Sequence, residues 1–169
     1  MSVVARAVDF SAPFEELQVG QRLLTRGRTV AEADVVGFAA LTGDWHPQHA
    51  DAAWAAQSRF GERIAHGMLI VSYAVGLLPL DPDRVVALRR ITDVVFKRPV
   101  RLGETIKADG RLAELVALDD ELGLVGCAIS ILNQDAALVA RARIDVIWRR
   151  DEARPTPEPF SRERGVVPC

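Results

Sequence analysis

The chain has 169 residues, 49% hydrophobic and 26% charged, with a formal net charge of −2. That length fills one domain with a real core and forces no second one, while the slight acidity argues against a nucleic-acid binder, which is usually basic. Cys127 in an apolar stretch and Cys169 at the end form neither a disulfide framework nor a zinc ligand set, and read as a buried small hydrophobe and an incidental thiol.

Residues 1–13 mix Arg6 and Asp9 among small residues and lack the apolar stretch and cleavage site of a secretory signal, so a cytoplasmic location is expected. Residues 14–20 are a lead-in, and residues 21–28 predict a first strand. Thr29, with Glu32 three residues on, has the pattern of a helix-capping box. Ala31, Val35, Phe38 and Ala39 then draw one apolar stripe along a helix that ends near Thr42-Gly43. A loop over residues 44–50 follows, and Asp51 is placed to cap a short helix through residues 52–56. Residues 65–78 predict a strongly apolar helix. Its most apolar part, residues 68–80, falls well short of the roughly 20 residues a membrane span needs, so it is expected to be buried on every side.

From residue 85 the period changes to two. Residues 85–96 are an apolar-rich strand candidate. Ile106, Ala108 and Leu112 alternate with Thr105, Lys107, Asp109 and Arg111. Val125, Cys127, Ile129 and Ile131 alternate likewise, Asn133-Gln134-Asp135 suits a hairpin turn, and Leu138, Ala140, Ala142, Ile144, Val146 and Trp148 alternate against Arg141, Arg143 and Asp145. An apolar helix followed by four strands predicts an α+β fold, one antiparallel sheet curled around a central helix. The domain is expected over residues 1–150. Residues 151–169, charged and carrying Pro155, Pro157, Pro159 and Pro168, read as a flexible tail.

All three histidines, His46, His49 and His66, fall in one window with Asp44 and Asp51. One histidine is commonly a satisfied core residue, but three beside acids point to a site. Pro47 disfavours helix at His46, so Asp44 and His49 sit on a turn from which a carboxylate and an imidazole can address one substrate. His66-Gly67 opens the apolar helix, whose first N–H groups lack internal partners and lie at the positive end of the dipole. With no side chain at Gly67, a carbonyl oxygen can approach that amide closely.

Gly43-Asp44-x-x-Pro47-x-His49-x-Asp51, Phe60-Gly61, Ile64-Ala65-His66-Gly67-Met68-Leu69 and Phe96-x-x-Pro99-Val100-x-x-Gly103-Glu104 together resemble the MaoC-like, R-specific enoyl-CoA hydratases. The lead-in Phe14-x-x-Leu17-x-x-Gly20 is similar too, so the resemblance covers about half the chain. It implies a hot-dog fold, a homodimer or dimer of dimers, and an acyl thioester substrate carried on coenzyme A or acyl carrier protein, with no metal or other cofactor. It also implies that Asp44 and His49 are the catalytic pair and that Gly67 N–H binds the thioester carbonyl. The reaction expected is hydration of a trans-2-enoyl thioester or the reverse dehydration. His46 stands where the family usually has Asn, and Val75 where several members have Ser. His46, Trp45 and His66 are assigned to substrate binding, and Lys97 and Arg98 to coenzyme A phosphates. Trp54 is a further candidate for an acyl channel, whereas Met68 is expected in the core and Tyr73 in the core or a dimer interface.

Three other readings compete. His46-x-x-His49 with Asp44 or His66 offers metal donors, although Pro47 constrains their geometry. A hot-dog thioesterase shares fold and substrate class but uses a single acid rather than an Asp/His turn. An inactive MaoC-like subunit is the third.

Overall fold

A computed structural model describes residues 6–151, and residues 152–169 of the expected tail, Cys169 included, lie outside them. The first half of the chain forms short elements: β1 (Arg22–Leu24), β2 (Arg28–Thr29), α1 (Glu32–Thr42), α2 (Pro47–Ala50), α3 (Ala52–Ala56) and α4 (Gly67–Gly76). The second half is four long strands: β3 (Val85–Phe96), β4 (Thr105–Ala117), β5 (Leu122–Leu132) and β6 (Leu138–Arg149). They pair antiparallel in the order β1-β4-β5-β6-β3, with β2 added on β4. Asn133 closes the β5–β6 turn, its side-chain oxygen accepting the Asp135 and Ala137 N–H groups, so the expected hairpin turn is in place.

The alternation of the second half lays Ile106, Ala108, Leu112, Val125, Cys127, Ile129, Ile131, Ile144, Val146 and Trp148 on one buried face. Leu69, Ile70, Val71 and Ala74 of α4 join them in one apolar cluster. Each such aliphatic side chain contributes about 1.5–3 kcal/mol on full burial, so the packing of α4 on the sheet adds substantially to stability. Burial pushes the Cys127 thiol up to about 12, with the Asp145 carboxylate adding to it, which makes that sulfur inert at neutral pH.

Several expectations are corrected. Residues 21–28 do not run as one strand: Thr25 takes the Ala108 amide on its hydroxyl, and a Cβ at Gly27 would sit 2.8 Å from Thr105, so the chain breaks between β1 and β2. Thr29 is no helix cap, because its hydroxyl is bonded to Thr105 across the strand pair at 2.7 Å. The carboxylate of Asp34 caps α1 instead, accepting the Ala31 N–H at 2.8 Å. The loop over residues 44–50 contains the helical turn α2, with Pro47 at its first position, where its missing N–H costs nothing. Nor is α4 enclosed all round: Met68, Ser72 and Gly76, spaced four apart, make an exposed stripe, and Met68 is 54% exposed rather than core. Asp145, expected on the polar face, is 1% exposed and held by Arg90 at 2.6 Å and Arg143 at 3.0 Å. Asp151, assigned to the tail, is still anchored by Arg84 at 2.6 Å. Tyr73 is half-buried, under the Arg28 guanidinium 4.0 Å from its ring centre.

Candidate active site

Gly43 ends α1 in the left-handed region (φ 78°), its N–H returning to Ala39 O. Only a residue without a Cβ turns here at little cost, and the turn delivers Asp44 to the rim of a cavity. Asp44 Oδ1 accepts the His46 N–H at 3.3 Å, while its main-chain carbonyl accepts a hydrogen bond from His66 Nε2 at 2.9 Å. His46 caps α2, its Nδ1 accepting the Gln48 N–H at 3.2 Å, and its ring meets Trp54 edge-on at 5.6 Å. That helical turn carries His49 inward until only 5% of it is exposed.

His49 Nδ1 lies 2.7 Å from the Ile64 carbonyl. A carbonyl only accepts, so the proton of the neutral ring is on Nδ1 and the basic lone pair is on Nε2. Gln48 Nε2 covers that lone pair at 3.1 Å. Burial lowers the His49 pKa from its ordinary value; the Ile64 carbonyl and Asp44 oppose this, and His66 and His46 reinforce it. The His49 and His66 rings stack with centres 3.8 Å apart and planes 27° from parallel.

His66 immediately precedes α4, and among the described residues no hydrogen bond uses the Gly67 amide behind it. A Cβ at Gly67 would lie 2.7 Å from Cζ of Phe96, so that ring fills the space a side chain would take. Gly67, Phe96, Asp44, Gln48 and His66 line a cavity of about 590 Å³ whose walls are otherwise mainly apolar, Phe38, Ile64, Met68 and Ile70 among them. Lys97 and Arg98 line it too. A larger cavity, about 870 Å³, lies elsewhere, against Arg22, Asp109, Arg111 and Arg143, with neither the histidines nor Asp44 near it.

The structure therefore gathers Asp44, His49 and His66. Asp44, His66 and Gly67 line the cavity together with Lys97 and Arg98, whereas buried His49 is not among the lining residues and stands next to Gln48, which is. Trp45, by contrast, is 52% exposed and outside the lining, because Asp44 turns its carbonyl inward and the next side chain faces out. His46 is a cap rather than part of the wall, and Val75, half-buried further along α4, does not line the cavity. Gln48 escaped the sequence reading although it sits between Pro47 and His49. The Ile64 carbonyl, a main-chain atom, left no signal in residue types.

One donor atom from each of Asp44, His49 and His66 lies within 4.8 Å of the others. The stacked imidazoles hold their in-plane lone pairs in nearly parallel planes, whereas the ligands of one ion converge on it from tetrahedral directions. The groups present suit proton transfer: a carboxylate and an imidazole lone pair close together, with an unused amide at the start of the helix that His66 precedes.

Residues 14–122 match the MaoC-like domain family. The chain belongs to that family. It is 44% identical over 99 residues to protein MaoC of Klebsiella aerogenes, covering 58% of this chain but only 30% of that longer protein. A 3-hydroxybutyryl-CoA dehydratase of Methylorubrum extorquens is 31% identical over 145 residues, 84% of this chain and 88% of the relative. The solved structure of an R-hydratase from Pseudomonas aeruginosa, in its unliganded form, superposes with a TM-score of 0.67 at 32% identity, over 88% of this chain and 95% of that one. The architecture of this MaoC-like chain is the α+β hot-dog fold. Among the described residues no helix is long and apolar enough to cross a membrane.

Proposed function

We propose that the protein is a hydro-lyase that reversibly hydrates trans-2-enoyl thioesters to 3-hydroxyacyl thioesters, the acyl group being carried on coenzyme A or acyl carrier protein. The observation that carries this reading is the grouping of Asp44 and His49 with His66, the residue that precedes the unused Gly67 amide, next to an apolar cavity that Asp44, His66 and Gly67 line. A hydratase and a dehydratase among the relatives support it from both directions.

In this mechanism the thioester carbonyl accepts the Gly67 N–H, which draws electron density from C3. A water held between Asp44 and His49 Nε2, where the Gln48 amide sits, gives a proton to His49 as its oxygen bonds to C3. The C2–C3 π electrons move into an enolate whose oxygen the Gly67 amide and the positive end of α4 stabilise. Return of the proton from the Asp44/His49 pair to C2 on the same face completes the addition, and dehydration is the exact reverse. No metal and no redox cofactor takes part. Lys97 and Arg98 are assigned to carrier phosphates, since guanidinium and ammonium groups suit phosphate oxygens.

The test is incubation of purified protein with crotonyl-CoA and longer enoyl-CoAs, following both the enoyl absorbance and free thiol. Loss of absorbance to an equilibrium, without thiol release, is expected. Thiol release with the enoyl group intact would identify a thioesterase, and no change in either signal, an inactive subunit.

A further inference from the structure

His66 is 2% exposed, yet it has no part in the proton transfers of the proposed reaction. Three contacts set it apart. Its Nε2 proton binds the Asp44 carbonyl 22 residues away at 2.9 Å. Its ring lies face to face with His49 at 3.8 Å. Its backbone leads directly into Gly67, the first residue of α4. Nδ1 is buried with no hydrogen-bond partner among the described residues, so in the neutral ring the proton belongs on Nε2, where an acceptor waits. An imidazole that used its second nitrogen only as a structural anchor elsewhere would not need both the donor to Asp44 and the stack on His49.

We propose that His66 is the positioning residue of the site: it ties the Asp44 main chain and the His49 ring to the start of α4, so that carboxylate, base and Gly67 amide keep one geometry. This rests on the acid/base reading of Asp44 and His49. The charged or titratable groups facing His49 are His66 just before α4 and Asp44 and His46 on the turn, and of these His66 and His46 disfavour the His49 cation. Removing His66 therefore raises the pH at which His49 titrates. In kinetics, the acid limb of kcat/KM, which reports the free base, moves to higher pH in step.

Two variants separate the roles. His66→Gln keeps a donor within reach of the Asp44 carbonyl but loses the aromatic stack; His66→Phe keeps the stack and loses the donor. We expect the His49 midpoint, followed by NMR among only three histidines, to rise in both. We expect kcat for crotonyl-CoA to fall on the order of 10- to 100-fold in His66→Phe, the size of effect a displaced catalytic group produces, with KM little changed and most of the loss restored in His66→Gln. A His49 midpoint unmoved in the folded variants, or equal loss of kcat in both, overturns the proposal. So does a wild-type His66 whose nitrogen shifts place the proton on Nδ1, a measurement that needs no variant. If the wild type hydrates no enoyl thioester, the reaction reading fails, while the NMR midpoints and nitrogen shifts still decide the role of His66.

Discussion

In the proposed mechanism Gln48 and Gly67 govern access to the two working atoms, His49 Nε2 and the Gly67 amide. The Gln48 amide covers the His49 lone pair, so water must displace it before the base can act. Gln48→Leu is expected to keep or raise kcat/KM, by up to about tenfold, the worth of one such bond. A fall of that size in steady-state assays would show instead that the amide helps hold the water. At Gly67 a methyl group would meet Phe96 at 2.7 Å. Since Phe96 is 49% exposed, its ring can turn aside, so Gly67→Ala is expected to keep its melting temperature within a few degrees. The methyl would still obstruct approach to the amide, and kcat/KM should drop toward the roughly 10²–10³-fold cost of losing one oxyanion donor. Wild-type kcat/KM would remove Gly67 from the mechanism. At this scale the sequence was informative where chemistry lies in side chains: three histidines and Asp44 in one window pointed to the site. It was silent on the Ile64 carbonyl that fixes the His49 tautomer and on the bond from His66 to the Asp44 carbonyl, because main-chain acceptors carry no residue signature.

Periodicity made the elements legible, and long-range partners set their ends. The stripe of Val35, Phe38 and Ala39 located α1, yet the cap moved from Thr29 to Asp34 because strand pairing with Thr105 had already engaged the threonine hydroxyl. Asp34 also accepts from Arg28 at 3.1 Å. Replacing it with Ala is expected to lower stability by about 0.5–2 kcal/mol in urea unfolding, the usual cost of losing a cap. Glu32→Ala, which loses only an ion pair with Arg63 whose acid side chain is 62% exposed, should cost less. The opposite ranking would restore the sequence-based cap. Likewise, the apolar content of α4 showed that it is a core helix but not that Met68, Ser72 and Gly76 face outward, since composition does not tell which side the sheet covers.

For the whole molecule, antiparallel pairing leaves β3 as a twelve-residue edge strand, bonded to β6 on one side only. Val86, Leu88 and Phe96 on it are 47%, 46% and 49% exposed. A long edge strand with exposed apolar side chains invites pairing with a second copy, and we propose a homodimer formed there. Light scattering behind size-exclusion chromatography should give twice the chain mass, and Leu88→Glu should shift it toward the monomer; a monomeric wild type would refute the pairing. Burial of His49 is expected to keep it uncharged to lower pH than an ordinary histidine, so the acid limb of kcat/KM should fall below about 6.5. The most direct test of the account compares kcat/KM for crotonyl-CoA hydration in the wild type with that of Asp44→Asn and His49→Ala, each checked for an unchanged fold. A loss on the order of 10²–10⁴-fold in each is predicted for groups that move the proton; wild-type rates in either variant would contradict the acid/base assignment.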